Sequence, residues 1–84
     1  PTYLELENKD QIDNALKTSR NLIFSETANL INTPVYDGNK LSPGNKINGP
    51  AVVEEDTTTL VIEPEWFLEL HKSGTYIIKR KKIK

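Results

Sequence analysis

The densest group of side chains able to do chemistry is Glu54-Glu55-Asp56, followed directly by Thr57-Thr58-Thr59. Paired carboxylates can serve as general acid and base, or hold Mg²⁺ or Ca²⁺ through hard oxygen ligands. Consecutive residues on a strand point to alternate faces, so at most Glu54 and Asp56 can converge on one site. With three threonines behind them, the carboxylates read first as a strand-to-turn segment whose side-chain oxygens satisfy loose backbone donors. Contact with a partner domain through Glu54, Glu55 and Asp56 is the second reading, and catalysis or metal binding the third.

His71 is the single histidine. A His-His metal site is therefore excluded, and a Ser-His-Asp triad would have no spare partners. Its place at the mouth of a hairpin predicted over 66–80, on the face opposite Trp66, makes it an exposed strand-end residue rather than a catalytic base. The chain has no cysteine, which removes disulfides, thiolate nucleophiles and Cys-based metal sites. Pro43-Gly44-Asn45-Lys46 and Asn48-Gly49-Pro50 have the glycines of a phosphate cradle. They match neither G-x-x-x-x-G-K-S/T nor G-x-G-x-x-G, and no helix N-terminus follows to receive an anion. They read as turns. Trp66, Tyr36, Tyr76 and Phe24 read as core or rim aromatics, with ligand stacking as the alternative.

The elements that must position these residues are mostly short strands. Residues 2–7 alternate polar and apolar, as an edge strand or extended lead-in does. Asn8 and Gln11 have capping-box spacing, and Ile12, Ala15 and Leu16 share one helical face, so a short helix is predicted near 9–18. Leu22-Ile23-Phe24 has the run of a buried strand. A turn at Ser25-Glu26-Thr27 leads to a strand from Ala28 through Tyr36, which Pro34 marks as an edge strand or interrupts. Asp37-Gly38 is expected to supply the positive φ of a tight reversal, and Pro43-Gly44 the centre of a type II turn. A bend at Asn48-Gly49-Pro50 precedes strands at 51–53 and 59–62. The last hairpin pairs 66–70 with 75–79 across Lys72-Ser73-Gly74, with Gly74 left-handed. About six to eight short strands with turns this frequent argue for a small, mainly β fold. The expected form is an antiparallel β-sandwich or partly open barrel with one short N-terminal helix.

The chain has 84 residues, 36% of them hydrophobic, which is enough for one small domain. Such a domain buries roughly 60–65% of its unfolded surface and is modestly stable alone. Residues 1–19 are the lead-in strand and helix, 20–78 the β core and 79–84 a basic tail. The first residue is Pro1, and the expectation is a piece excised from the C-terminus of a larger protein. No apolar run reaches the roughly 18–20 residues of a membrane span, and no signal peptide is visible. The tail holds five of the eleven basic residues, leaving twelve acidic against six basic side chains over residues 1–78. A nucleic-acid binder spreads basic residues over a folded face, so an acidic body with a basic end argues against that class. The tail reads as a solvated end, with an acidic partner or another subunit as the alternative.

One further pattern combines these signals. Thr33-Pro34-Val35-Tyr36-Asp37, then Leu41-x-Pro43-Gly44-x-x-Ile47-x-Gly49-Pro50-Ala51-Val52-Val53-Glu54-Glu55, then Thr57-Thr58-Thr59, resembles the C-terminal domain of the hydantoinase A/5-oxoprolinase family. That family includes the ATP-dependent subunits of acetone and acetophenone carboxylases. Ser19-Arg20-x-Leu22-x-Phe24 is similar to the strand before this signature, and Lys72 to Ile78 to the closing hairpin. The resemblance covers roughly residues 15–80. Relatives commonly carry a Pro-Pro-Gly-Trp-like turn where this chain has Glu63-Pro64-Glu65-Trp66, and they end soon after the closing strand, whereas this chain adds a basic tail.

The resemblance implies a parent enzyme that cleaves ATP in a separate actin-like domain to activate a cyclic amide or a ketone; the lack of cysteine fits a cytoplasmic location for it. ATP and a divalent metal are then expected in that parent's other domains, with no cofactor and no catalytic residue here. The partners implied are those other domains and a hydantoinase B-type subunit, contacted through Glu54, Glu55, Asp56 and Trp66. The competing class is an independent module that binds a small ligand or a protein through the Gly/Pro-rich loops of 37–50.

Overall fold

In the computed structural model, residues 12–24 and 29–81 are described. Seven strands run through them: β1 (Leu16–Ile23), β2 (Leu30–Asp37), β3 (Lys46–Asn48), β4 (Ala51–Glu54), β5 (Thr59–Ile62), β6 (Trp66–Leu70) and β7 (Tyr76–Arg80). They form two sheets, ordered β1-β2-β4-β5 and β3-β6-β7. A helical turn at 12–15 precedes β1. The protein is mainly β, with two sheets, one short helix and no closed barrel among the described residues. No described helix is long and apolar enough to cross a membrane.

The core lies where the sheets face each other. Ala51 and Val53 of β4, Ile62 of β5, Ile47 of β3, and Leu68 and Leu70 of β6 are buried together with Ala15 and Leu41. Alternation selects these positions: in β6, Leu68 and Leu70 point inward while Phe67 and Glu69 point outward. Burying one such aliphatic side chain stabilises the fold by about 1.5–3 kcal/mol. Ile12, Tyr36, Leu60, Trp66 and Tyr76 close the margin of this core.

Four strand pairs are antiparallel, and β2 with β4 is parallel, Val35 opposite Val52 through Asp37 opposite Glu54. The parallel pair follows from connectivity: after β2 the chain crosses to the second sheet as β3 before returning as β4. Gly49 makes that return possible. Its N–H donates to the Trp66 carbonyl at 2.8 Å, and a Cβ there would overlap the Glu63 carbonyl. The Gly49-Pro50 bond is cis.

Several expectations change. The helix predicted over 9–18 gives way to β1 at Leu16, because pairing with β2 from Leu16 opposite Tyr36 satisfies backbone groups that a short helix would leave to itself. Ile12 and Ala15 still pack on the core, but Leu16 is 50% exposed. Leu22-Ile23-Phe24 is no buried strand: β1 is a sheet edge, Ile23 is 67% exposed, and only Phe24 is buried. Pro34 neither breaks β2 nor marks it as an edge. The strand lies between β1 and β4, and Pro34 sits one residue before the β4 ladder begins at Val35. The lead-in strand at 2–7, the Asn8 cap, the Ser25-Glu26-Thr27 turn and the end of the basic tail lie outside the described residues.

The turns match more closely. Gly44 and Gly74 have φ of 93° and 84°, the left-handed values their positions demand. Gly38 does not take a positive φ. Asp37 instead caps a 3₁₀ turn, Gly38–Lys40, by accepting from the Asn39 N–H at 3.0 Å. Glycine is required at 38 for space, since a Cβ would lie 2.6 Å from Cγ of Glu55 and 3.0 Å from the Tyr76 hydroxyl.

Candidate functional site

The acidic run occupies the end of β4 and the turn into β5, closed by the Glu55 N–H donating to the Thr58 carbonyl at 2.8 Å. Each carboxylate engages a different element. Glu54 reaches across β2 to β1, where its Oε1 accepts from Nζ of Lys17 at 3.0 Å and its Oε2 from Nη2 of Arg20 at 2.8 Å. The hydrogen bond from Lys17 leads in holding the Glu54 carboxyl below its ordinary pKa; desolvation opposes it, and the charges of Arg20 and Lys17 and the Arg20 hydrogen bond add to the lowering. Glu55 accepts a hydrogen bond from the Tyr76 hydroxyl of β7; burial, with the Glu55 bond and charge, pushes that phenol up to about 12. Asp56 accepts from Nδ2 of Asn39 at 3.2 Å.

Glu54 and Asp56, the pair that alternation allows to converge, thus turn to different partners. Among the described residues, no three His, Cys, Asp or Glu side chains group to hold a metal ion. The arrangement does mechanical work: it ties β1, the 3₁₀ turn and β7 to one corner of the β4–β5 connection. Glu55, Asp56 and the threonines remain exposed there.

Trp66 is half-buried at the start of β6. It packs against the core and lines a cleft of about 290 Å³ with Val61, Glu63 and Ile78. Val61 and Ile78 are 49% and 39% exposed, so this notch carries apolar surface to solvent. His71 is exposed, with Nε2 3.5 Å from a Glu69 carboxylate oxygen. Tyr36 is a margin residue whose phenol burial pushes up, with the Asp13 charge adding to the effect.

The loops over 37–50 engage polar groups both within themselves and with neighbouring elements of the fold. Asn45 is 2% exposed, its Oδ1 accepts from the Ser42 N–H at 2.8 Å, and its N–H donates back to the Ser42 carbonyl at 3.0 Å. Gly44 donates to the Leu70 carbonyl at 2.7 Å. Missed from sequence were Lys17, Arg20 and Tyr76 as partners of the acidic turn, and Val61 and Ile78 as neighbours of Trp66. The ion pairs join residues 37 and 34 positions apart, which no local pattern encodes.

The family described as hydantoinase/oxoprolinase C-terminal domain matches residues 2–77. The chain is 39% identical over 57 residues to the caprolactamase subunit alpha of Pseudomonas jessenii, covering 68% of this chain and 8% of that protein. It is 37% identical over 60 residues to the acetophenone carboxylase gamma subunit of Aromatoleum aromaticum, covering 71% and 8%. A solved nucleotide-free acetone carboxylase superposes with a TM-score of 0.73 at 26% identity, over 81% of this chain and 9% of that one. The chain therefore spans less than a tenth of the length of these relatives. With the family pattern matched over nearly the whole chain and the fold shared with a solved relative, this protein belongs to the hydantoinase/oxoprolinase C-terminal domain family.

Proposed function

We propose that this chain is a non-catalytic structural and docking module at the C-terminus of an ATP-dependent enzyme that hydrolyses a cyclic amide, such as a hydantoin or 5-oxoproline, or carboxylates a ketone. The observation that carries this reading is the match of nearly the whole chain to a C-terminal domain occupying only 8% of a caprolactamase or acetophenone carboxylase subunit. The engagement of Glu54, Glu55 and Asp56 with separate parts of their own fold supports it. Carboxylates already held by Lys17, Arg20, Tyr76 and Asn39 suit a rigid surface better than acid–base chemistry, which needs two groups aimed at one substrate atom.

In this reading ATP and a divalent metal belong to other domains of the parent, which works in the cytoplasm. The module docks on those domains and on a hydantoinase B-type subunit. The exposed carboxylates of the acidic turn and the apolar notch beside Trp66 make the contact: a desolvated aromatic anchor with a charged rim.

The test has two parts. Amide NMR of the 84-residue chain titrated with ATP-Mg²⁺, hydantoin and 5-oxoproline is expected to give no saturable shifts, and turnover by this chain would overturn the proposal. Saturable shifts clustered at 37–50 would favour a ligand-binding module instead. In the full parent enzyme, Trp66→Ala combined with Asp56→Lys is expected to weaken subunit association in size-exclusion chromatography. Unchanged association would remove these residues from the interface.

A further inference from the structure

The outer face of the β3-β6-β7 sheet has a character unlike the rest of this acidic body. Register places Asn48, Phe67 and Lys79 in one row across the three strands, with Lys46, Glu69 and Ile77 in the next. Alternation then puts Lys81 on the same side as Lys79. Together with Arg80, Lys46, Asn48, Phe67, Lys79 and Lys81 line an open cleft of about 500 Å³. The Lys46 ammonium lies 4.3 Å from the centroid of the Phe67 ring. No described carboxylate forms an ion pair with Lys79, Arg80 or Lys81. Of the acidic residues beside this cleft, Glu69 lies against His71 at 3.5 Å, and Glu65 meets Lys81 through its backbone carbonyl at 2.7 Å.

We infer that this cleft is a docking surface for an extended acidic polypeptide segment, a contact separate from the acidic turn and independent of its role. Three features select that occupant. The cleft is cationic on a body whose residues 1–78 carry twice as many acidic as basic side chains, so its field is local and directional. Lys79 and Lys81 follow the strand repeat, and carboxylates at alternate positions of an extended chain repeat at the same distance, about 6.6–6.8 Å. Strand β7 is the edge of its sheet, so an extended segment can lie beside it. A nucleic acid fits less well: the Phe67 face that a base would stack on is already covered by Lys46.

The experiment titrates the 84-residue chain with a short peptide of alternating Glu and Ser, followed by amide NMR. Saturable shifts are expected at 46–48, 67 and 79–81, weakening at least about tenfold when salt is raised from about 0.02 M to about 0.5 M. The variant Lys79→Glu, Lys81→Glu is expected to keep its amide dispersion and lose at least about tenfold in affinity. Absence of saturable shifts at low salt, or equal binding by the folded double variant, would overturn the inference. So would equal displacement of the same amides by inorganic phosphate, which marks a simple anion sink, or tighter binding of oligothymidylate, which marks a nucleic-acid surface.

Discussion

Glu65 holds a φ of 71°, the one positive value at a residue other than glycine among those described. It occupies the third position of the turn Glu63-Pro64-Glu65-Trp66, closed by the Trp66 N–H donating to the Glu63 carbonyl at 3.1 Å. Pro64 supplies the second position of a type II turn, and the third requires a left-handed residue. An L-residue with a Cβ costs about 1–2 kcal/mol there. Glu65→Gly removes that cost. It adds about 0.5–1 kcal/mol of backbone entropy that glycine loses on folding.

The Glu65 side chain is exposed, and its useful contact, the carbonyl accepting from the Lys81 N–H at 2.7 Å, belongs to the backbone and survives the change. The net expectation is a gain of about 0.5–1 kcal/mol, or about 2–8 °C in melting temperature for a domain of this size. Urea unfolding followed by Trp66 fluorescence, with thermal melts by circular dichroism, measures it. Glu65→Ala is the control, since it removes the same carboxylate but keeps the Cβ, and it is expected to show no gain. An unchanged or lowered midpoint for Glu65→Gly, or an equal gain for Glu65→Ala, would refute the argument that strain is stored in this turn.

Gly49→Ala drives a Cβ into the Glu63 carbonyl and is expected to cost about 3 kcal/mol or more, because the obstacle is backbone; a urea midpoint within error of the parent would contradict this. Glu54 has a lowered pKa in the folded state, so its contribution is complete above its ordinary value of 4.5 and is lost as pH falls through the folded value. The stability gap between the parent chain and Lys17→Ala, Arg20→Ala should therefore be widest near neutrality and close in acid, a trend read from urea midpoints across that range. For Tyr76, raised to about 12, stability is fully present below the unfolded value of about 10 and drains between the two. Tyr76→Phe should abolish that alkaline loss and remove a phenolate titrating at about 12 from the ultraviolet titration; persistence of both would place the group elsewhere.

Legibility followed the range of the interactions. The turns at Pro43-Gly44 and Lys72-Ser73-Gly74 were readable because their requirement is local: a glycine where φ is 93° or 84°. The strands β4 to β7 were readable because each apolar run is bounded by turn residues within a few positions. The C-terminal extent of the helix over 9–18, which stops at Ala15, and the buried strand at Leu22-Ile23-Phe24 were misread for one reason. Periodicity reports which residues could share a face, while pairing with β2 and an edge position decided which of them did. Asp37-Gly38 shows the same limit, since the glycine is there for the Glu55 and Tyr76 side chains rather than for its own dihedral.

By itself, then, the amino-acid sequence determined the family, the mainly β class and the positions of the tight turns, because these depend on residues close together in the chain. Tertiary structure alone decided that β2 and β4 run parallel, that Glu54 spans two strands to Lys17 and Arg20, and that Glu54 and Asp56 never share a site. It also gathered Lys46, Phe67 and Lys79 onto one face. Such juxtapositions come from strand order and register, and these are settled by how the two sheets close over their common core.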